Sequence, residues 1–380
     1  MKLNRKGLFL VATALLVFTG CNRVNNQITS HPNQEQINQH LESGERYYLN
    51  EAYDKAYEEY TKILALDEQY IDAYIHRAKV NIKRNDLPSA EMDLKKLDTL
   101  DIESKPASYY EVLAEYKMEN KDFNGALSAI DQAMKLETSN RQSAIKGIIQ
   151  YHLHQHQEAK VLLQQAIKDK NDTALQTYYY LLSEIGIYEG NYPAALTYLD
   201  KLKEIDAESS RVYAMQSYVY LKQITDTTLE VEKQRLETAS MESLMLAKNN
   251  PTYNDDAITV NYIGLVAYLE DNLVTSLASF DRAIALKADH AVFYNNRALV
   301  YYYQGDTESA YQDLTKAIEI DKLEPEFYLG RGYVLHTRGQ IDASIGNFSK
   351  AVELDKNYLQ RVPEDLQAMI QKQEHPTQNN

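Results

Sequence analysis

Residues Ala291 to Glu324 read AVFYNNRALVYYYQGDTESAYQDLTKAIEIDKLE, and the organisation of the whole chain follows from them. Tyr294, Ala298 and Tyr301 recur at i, i+4 and i+7, which places them on one face of a helix. Ala310, Leu314, Ala317 and Ile318 do the same for a second helix. Gly305 sits where the first helix must stop, and Asp306 follows as a cap for the next. Neither helix is able to bury its apolar stripe alone. The pattern returns about every 34 residues, so neighbouring copies do the burying.

Eight further copies flank this stretch. The one after it holds Tyr328, Gly332, Gly339, Phe348, Ala351 and Val352, and the one before it Gly264, Ala267, Phe280, Ala283 and Ile284. The sixth copy starts with Tyr213, Ser217 and Tyr220. It is then interrupted by about ten extra residues at Thr225–Gln234, before Ala239, Leu246 and Pro251. A longer loop or a lengthened second helix is expected there. The fifth carries Tyr179, Leu182, Gly190, Tyr192, Ala195, Leu199 and Leu202. The fourth keeps Gly147, Ala159, Leu163 and Ala166 but has Ser143 at the early aromatic position. The third (Tyr110, Ala114, Phe123, Ala126, Ile130, Ala133), second (Tyr74, Ala78, Ala90, Leu94, Leu97) and first (Gly44, Tyr47, Tyr53, Ala56, Tyr60, Ile63) complete the series back to Ile37.

These residues resemble the tetratricopeptide repeat (TPR), with an early aromatic, a small residue and Tyr in its first helix and small, aromatic and small residues in its second. The resemblance covers residues 37–358 and implies an all-α solenoid, a right-handed superhelix of helix-turn-helix units. Pro363-Glu364-Asp365 starts a final helix with Leu366, Met369 and Ile370 on one face, expected over residues 359–373 as a cap on the open end. Residues 374–380 form a polar tail. The family commonly has Trp at the early position of its first helix. Here Tyr74, Tyr110, Tyr179, Tyr213, Tyr294 and Tyr328 stand there, which accounts for much of the unusual count of 31 Tyr against 7 Phe and no Trp.

The N-terminus reads as an export signal. Lys2, Arg5 and Lys6 precede the apolar run Gly7–Phe18, which is shorter than the roughly 20 residues a membrane span needs. Phe18-Thr19-Gly20-Cys21 resembles the lipobox of bacterial lipoproteins, although the family usually has Leu where Phe18 stands. On that resemblance residues 1–20 are removed, Cys21 is lipidated with acyl chains (palmitate among the candidates), and residues 21–36 form the lipidated cysteine and a flexible tether. Cys21 is the one cysteine of the chain, so no intramolecular disulfide is available. The expected location is the bacterial cell envelope, lipid-anchored to a membrane on its periplasmic or outer-membrane side.

A net charge of −15 repels phosphate backbones and argues against nucleic acid as a partner. The family binds extended peptides or partner helices in the concave groove lined by its first helices. Projected onto that groove, Tyr151, Tyr180, Tyr188, Tyr218, Tyr268, Tyr302, Tyr303 and Tyr333 are candidate contacts, with Asn261, Asn295 and Asn296 as donors to a ligand backbone. Tyr294-Asn295-Asn296-Arg297 resembles the middle element of a carboxylate clamp. The flanking helices offer Asn261 and Leu265, then Glu326 and Gly330, so the basic residues such a clamp requires are missing. His152, His154 and His156 are not expected to seat a metal, because the register puts His154 in a turn. There is no GxSxG, Walker A, GxGxxG or cysteine nucleophile, so neither catalysis nor a cofactor is expected. The reading is a scaffold or adaptor for other envelope proteins or peptides, with homo-oligomerisation open. The alternative is a glycan-binding lipoprotein of a sugar-uptake system.

Overall fold

A computed structural model of the chain describes residues 33–374, apart from 101–104, 171, 173, 225–226 and 252. The signal segment, Cys21, most of the tether and nearly all of the tail lie outside the described residues. Within them the helices pack as consecutive antiparallel pairs. The first unit pairs α1 (Gln34–Leu49) with α2 (Tyr53–Leu66), the second α3 (Ile71–Lys83) with α4 (Leu87–Thr99), and the third α5 (Ala107–Glu119) with α6 (Phe123–Leu136). α7 (Asn140–His152) and α8 (His156–Ala166) form the fourth, α9 (Leu175–Tyr188) and α10 (Tyr192–Ile205) the fifth. The sixth joins α11 (Ser210–Ile224) to α12 (Glu230–Asn249), and the seventh α13 (Ala257–Leu269) to α14 (Leu273–Leu286). The eighth is α15 (Ala291–Tyr303) with α16 (Thr307–Ile320), the ninth α17 (Pro325–Thr337) with α18 (Ile341–Leu354). The interruption in the sixth unit goes mainly into α12, which runs for 20 residues. The first helix begins at Gln34, ahead of the Ile37 expected from the repeat pattern.

Several units are closed by one close approach. A small residue on the first helix faces a large side chain sixteen positions later on the second: Gly44 against Tyr60, Gly264 against Phe280, Gly332 against Phe348. A Cβ on Gly264 would stand 2.7 Å from a ring carbon of Phe280, which is itself fully buried. In the eighth unit Ala298 takes the small position and the smaller Leu314 the large one, and both are buried in one cluster.

Turns between paired helices use a left-handed residue at a recurring place. Glu51, Asn85, Lys121, His154, Gly190, Asp271, Gly305 and Gly339 all have positive φ. The next N–H then reaches back to an otherwise unpaired carbonyl, as Asp306 N does to Tyr301 O at 2.9 Å. Asp86, Asp122, Asn191, Asn272 and Asp306 follow these turns and cap the second helices with their side chains.

Two polar devices tie one unit to the next. Tyr74, Tyr213, Tyr294 and Tyr328 each donate a hydroxyl to the backbone carbonyl six residues earlier, in the loop that enters the helix. Tyr does here what Phe is unable to do, satisfying a loop carbonyl while its ring packs. Arg77, Arg297 and Arg331 bridge forward sixteen residues to Asp93, Asp313 and Asn347. They also bridge back sixteen residues to Thr61, Asp281 and Thr315. Each guanidinium thus joins the second helix of its own unit to that of the unit before.

The far end is closed by α19 (Glu364–Glu374), with Leu366 and Ile370 buried on the ninth unit. Met369, expected on the same stripe, is 51% exposed because it falls on the helix flank. No helix among the described residues is long and apolar enough to cross a membrane.

Gly264→Ala is expected to destabilise the chain by about 1–3 kcal/mol through overpacking, read as a lower urea midpoint. Adding Phe280→Leu should recover part of that loss, since Ala298 and Leu314 already form this combination in the eighth unit.

Candidate functional site

The first helices of successive units, α7 to α17, form one face of the solenoid and carry the aromatic residues singled out above. Their rings and hydroxyls are engaged with one another. Tyr151 donates its hydroxyl to Glu184 Oε2 at 2.6 Å. Tyr180 exchanges a hydrogen bond with Ser209 at 3.1 Å, and the Arg211 guanidinium lies 5.2 Å from its ring centre. Tyr218 packs against Tyr262 with centroids 5.7 Å apart, and Tyr268 meets Tyr303 edge-on at 6.1 Å. Tyr302 pairs with Thr337 at 2.9 Å, and Tyr333 donates to the Arg361 carbonyl. Tyr303 is the most open of the set, at 62% exposure.

The asparagines are placed differently from a row of free donors. Asn261 and Asn296 are both buried, and Asn296 Nδ2 donates to Asn261 Oδ1 at 2.9 Å, linking the seventh and eighth units. Asn295 is half-buried beside them. One amide of the three is thereby accounted for as donor and another as acceptor within the protein itself.

Four charged or aromatic residues join the site that sequence reasoning passed over. Glu184 follows Tyr180 by one helical turn and precedes Tyr188 by another, so the i, i+4, i+8 spacing already put it on the same face. Arg211 grips Asp256 with two hydrogen bonds of 3.1 and 2.7 Å, and Asp256 also caps α13 by accepting from Thr259 N. Tyr262, one residue beyond Asn261, is buried at the centre of the cluster. A cavity of about 550 Å³ opens beside the Arg211–Asp256 pair, lined by Gln176, Thr177, Tyr180, Ser209 and Tyr253.

Burial governs the electrostatics. It pushes the Glu184 carboxyl above its ordinary value, against the Tyr151 hydrogen bond and the charge of Arg211. Burial, then Glu184, raises the phenols of Tyr151 and Tyr262, and burial carries Tyr218 up to about 12. For Asp256 burial is outweighed by Arg211 and Thr259, which hold its carboxyl below the usual range.

The three histidines go separate ways. His152 ends α7 and stacks on Phe123 at 4.7 Å, and His156 starts α8 and packs on Tyr188 at 4.4 Å. His154 lies in the turn between them. Among the described residues no group of three or more His, Cys, Asp or Glu is arranged to hold a metal ion.

His154 instead closes the solenoid on itself. Its Nε2 lies 3.0 Å from Asp321 Oδ2 and its Nδ1 2.9 Å from Glu324 Oε2, both in the loop between the eighth and ninth units. Lys121 in the third unit's turn meets Asp289, in the loop before the eighth, at 3.2 Å. Tyr188, ending the first helix of the fifth, comes up to Tyr358 in the segment beyond the ninth. All three contacts join a turn or helix end to a segment about five units further on.

Residues 291–322 match the family model of the tetratricopeptide repeat. That is the stretch from which the period was read. No curated protein matches significantly. Among solved structures, the chain is similar to the C-terminal part of a TPR repeat-containing protein from Cytophaga hutchinsonii, with 17% identity over 67% of this chain and 97% of that one, at a TM-score of 0.42. It is also similar to pilF of Pseudomonas aeruginosa, with 15% identity over 57% and 93% of the two chains and a TM-score of 0.46. A thermophilic TPR protein of Thermus thermophilus gives 16% identity over 62% and 98%, with a TM-score of 0.34. The assignment of this chain as a TPR-type solenoid rests on its own helix pairs and on the matched repeat.

The closure predicts a pH dependence. The two carboxylates overcome burial and raise His154 from 6.5 to about 9, while His152 and His156 beside it are held down by burial and by its charge. A raised histidine contributes stability that is complete below about pH 6.5 and lost as pH rises through about 9. The thermal midpoint of His154→Gln should therefore lie below that of the wild type at pH 6, and the two should converge above pH 9. A constant difference across that range would assign the loss to packing.

Proposed function

We propose that this chain is a membrane-anchored lipoprotein of the bacterial envelope that serves as a scaffold, holding a segment of a protein partner along its tyrosine-bearing face. Solenoids of this type provide an extended surface for protein association and need no chemical step. The observation that carries the reading is the run of aromatic side chains across consecutive first helices, from Tyr151 to Tyr333, pre-ordered by hydrogen bonds to the protein itself. Rings already fixed in position lose little entropy on binding, and a phenol offers both a broad face and a hydroxyl. The acidic balance of the chain favours neutral or basic partners, mainly through the rate of encounter.

Anchoring by lipid at Cys21 is part of the proposal. Cys21→Ser should move the protein from the membrane pellet to the supernatant on fractionation of cells, whereas retention in the pellet would remove the lipid anchor from the reading.

Crosslinking followed by affinity capture tests the partner. Tyr268→Ala with Tyr303→Ala removes the edge-on pair, half-buried Tyr268 and exposed Tyr303, without touching a fully buried core ring. Envelope proteins captured with the wild type should fall about tenfold or more in recovery with this variant. Equal recovery would place binding elsewhere, and capture of no protein would send the search to glycan arrays.

A further inference from the structure

We propose that Glu184 is a receptor for a cationic side chain, so that the segment held by this face presents an arginine or lysine between the fourth and seventh units. This rests on the scaffold reading above and gives the partner a chemistry. Glu184 stands on α9, half-buried, with one oxygen accepting the Tyr151 hydroxyl. Among the described residues it has no ion-pair partner within 4.0 Å. The cation whose charge reaches it, Arg211, is already held by both oxygens of Asp256.

A half-buried carboxylate loses part of its hydration, and the protein supplies one phenol in direct return. What surrounds it is suited to a cation. Tyr151 on α7 bonds it directly, and Tyr262 on α13, with Tyr218 packed against it, is close enough to feel its charge. Aromatic faces attract ammonium and guanidinium groups, and they do so more strongly where water is reduced. An anionic ligand would meet Glu184, Asp256 and a chain of net charge −15. A neutral hydroxyl ligand would leave the carboxylate with only the charge of Arg211, which Asp256 already shares. The geometry therefore selects a positive group over both.

The test uses the full chain with tyrosine rings labelled by carbon-13, titrated with N-acetyl-arginine methylamide and, as its uncharged isostere, N-acetyl-citrulline methylamide. The arginine probe should shift ring signals of Tyr151 and Tyr262 in a saturable way, and the citrulline probe should bind about tenfold or more weaker. Glu184→Gln retains the side-chain shape and an acceptor for Tyr151, and it should weaken arginine binding by a similar factor. Tyr218→Leu, which removes a ring without removing charge, should weaken it less. No saturable shift up to about 10 mM, equal binding of citrulline, or unchanged binding by Glu184→Gln would each overturn the assignment. The scaffold reading fails separately: arginine binding with no protein captured in cells keeps the cation site and discards the adaptor.

Discussion

The approach of a small residue on one helix to a large side chain on its partner, sixteen residues later, sets the geometry on which everything else depends. Where Gly264 faces Phe280, the two backbones come as close as a ring allows. The same spacing recurs in several units, and one polar device repeats with it. The arginine bridge needs its acceptors sixteen residues on either side, and it finds them at Arg77, Arg297 and Arg331 because those helices are alike in separation. The polar network is thus a consequence of the packing and a check upon it, since a guanidinium joining two units fixes their relative orientation.

Much of the architecture was legible in the sequence because packing contacts between adjacent helices depend on spacing alone. Tyr294, Ala298 and Leu314 announce a unit without reference to anything beyond it. The lengthened α12 showed as an interruption of the period, and the last helix showed through Pro363 and the acidic residues after it. That Tyr151, Tyr180 and Tyr218 stand on first helices was legible too. What those residues touch was not. The Asn261–Asn296 pair joins equivalent positions of neighbouring units, and the bond between them depends on rotamers that no periodicity specifies. Glu184 was within reach of the reading, through its spacing from Tyr180 and Tyr188, but attention to aromatic residues passed over the acid among them.

The contacts around His154 lay beyond any such reading for a different reason. They arise from the accumulated rotation of about five units, so a small change per unit moves the partner by several ångströms. The turn holding His154 is also strained, since its positive φ is one that residues other than glycine seldom adopt. Here the left-handed residue projects an imidazole outward to the loop of Asp321 and Glu324, where the corresponding turn at Gly305 has no side chain to offer. The tyrosine-bearing first helices and the closure are connected through this part of the molecule. Tyr188, at the end of the helix that carries Glu184, packs on His156 and lies near Tyr358.

Stacked repeats are ordinarily indifferent to how many there are, because each one meets only its neighbours. This chain is not. Once Lys121, His154 and Tyr188 each reach across to a fixed place, the number of units between them becomes part of the structure. Loss or duplication of a whole unit in the span between would leave each local interface intact and yet bring the wrong loop opposite every one of these residues. Adding or deleting copies, the easy route for open solenoids, would therefore break these contacts in the middle of this chain and spare only its ends.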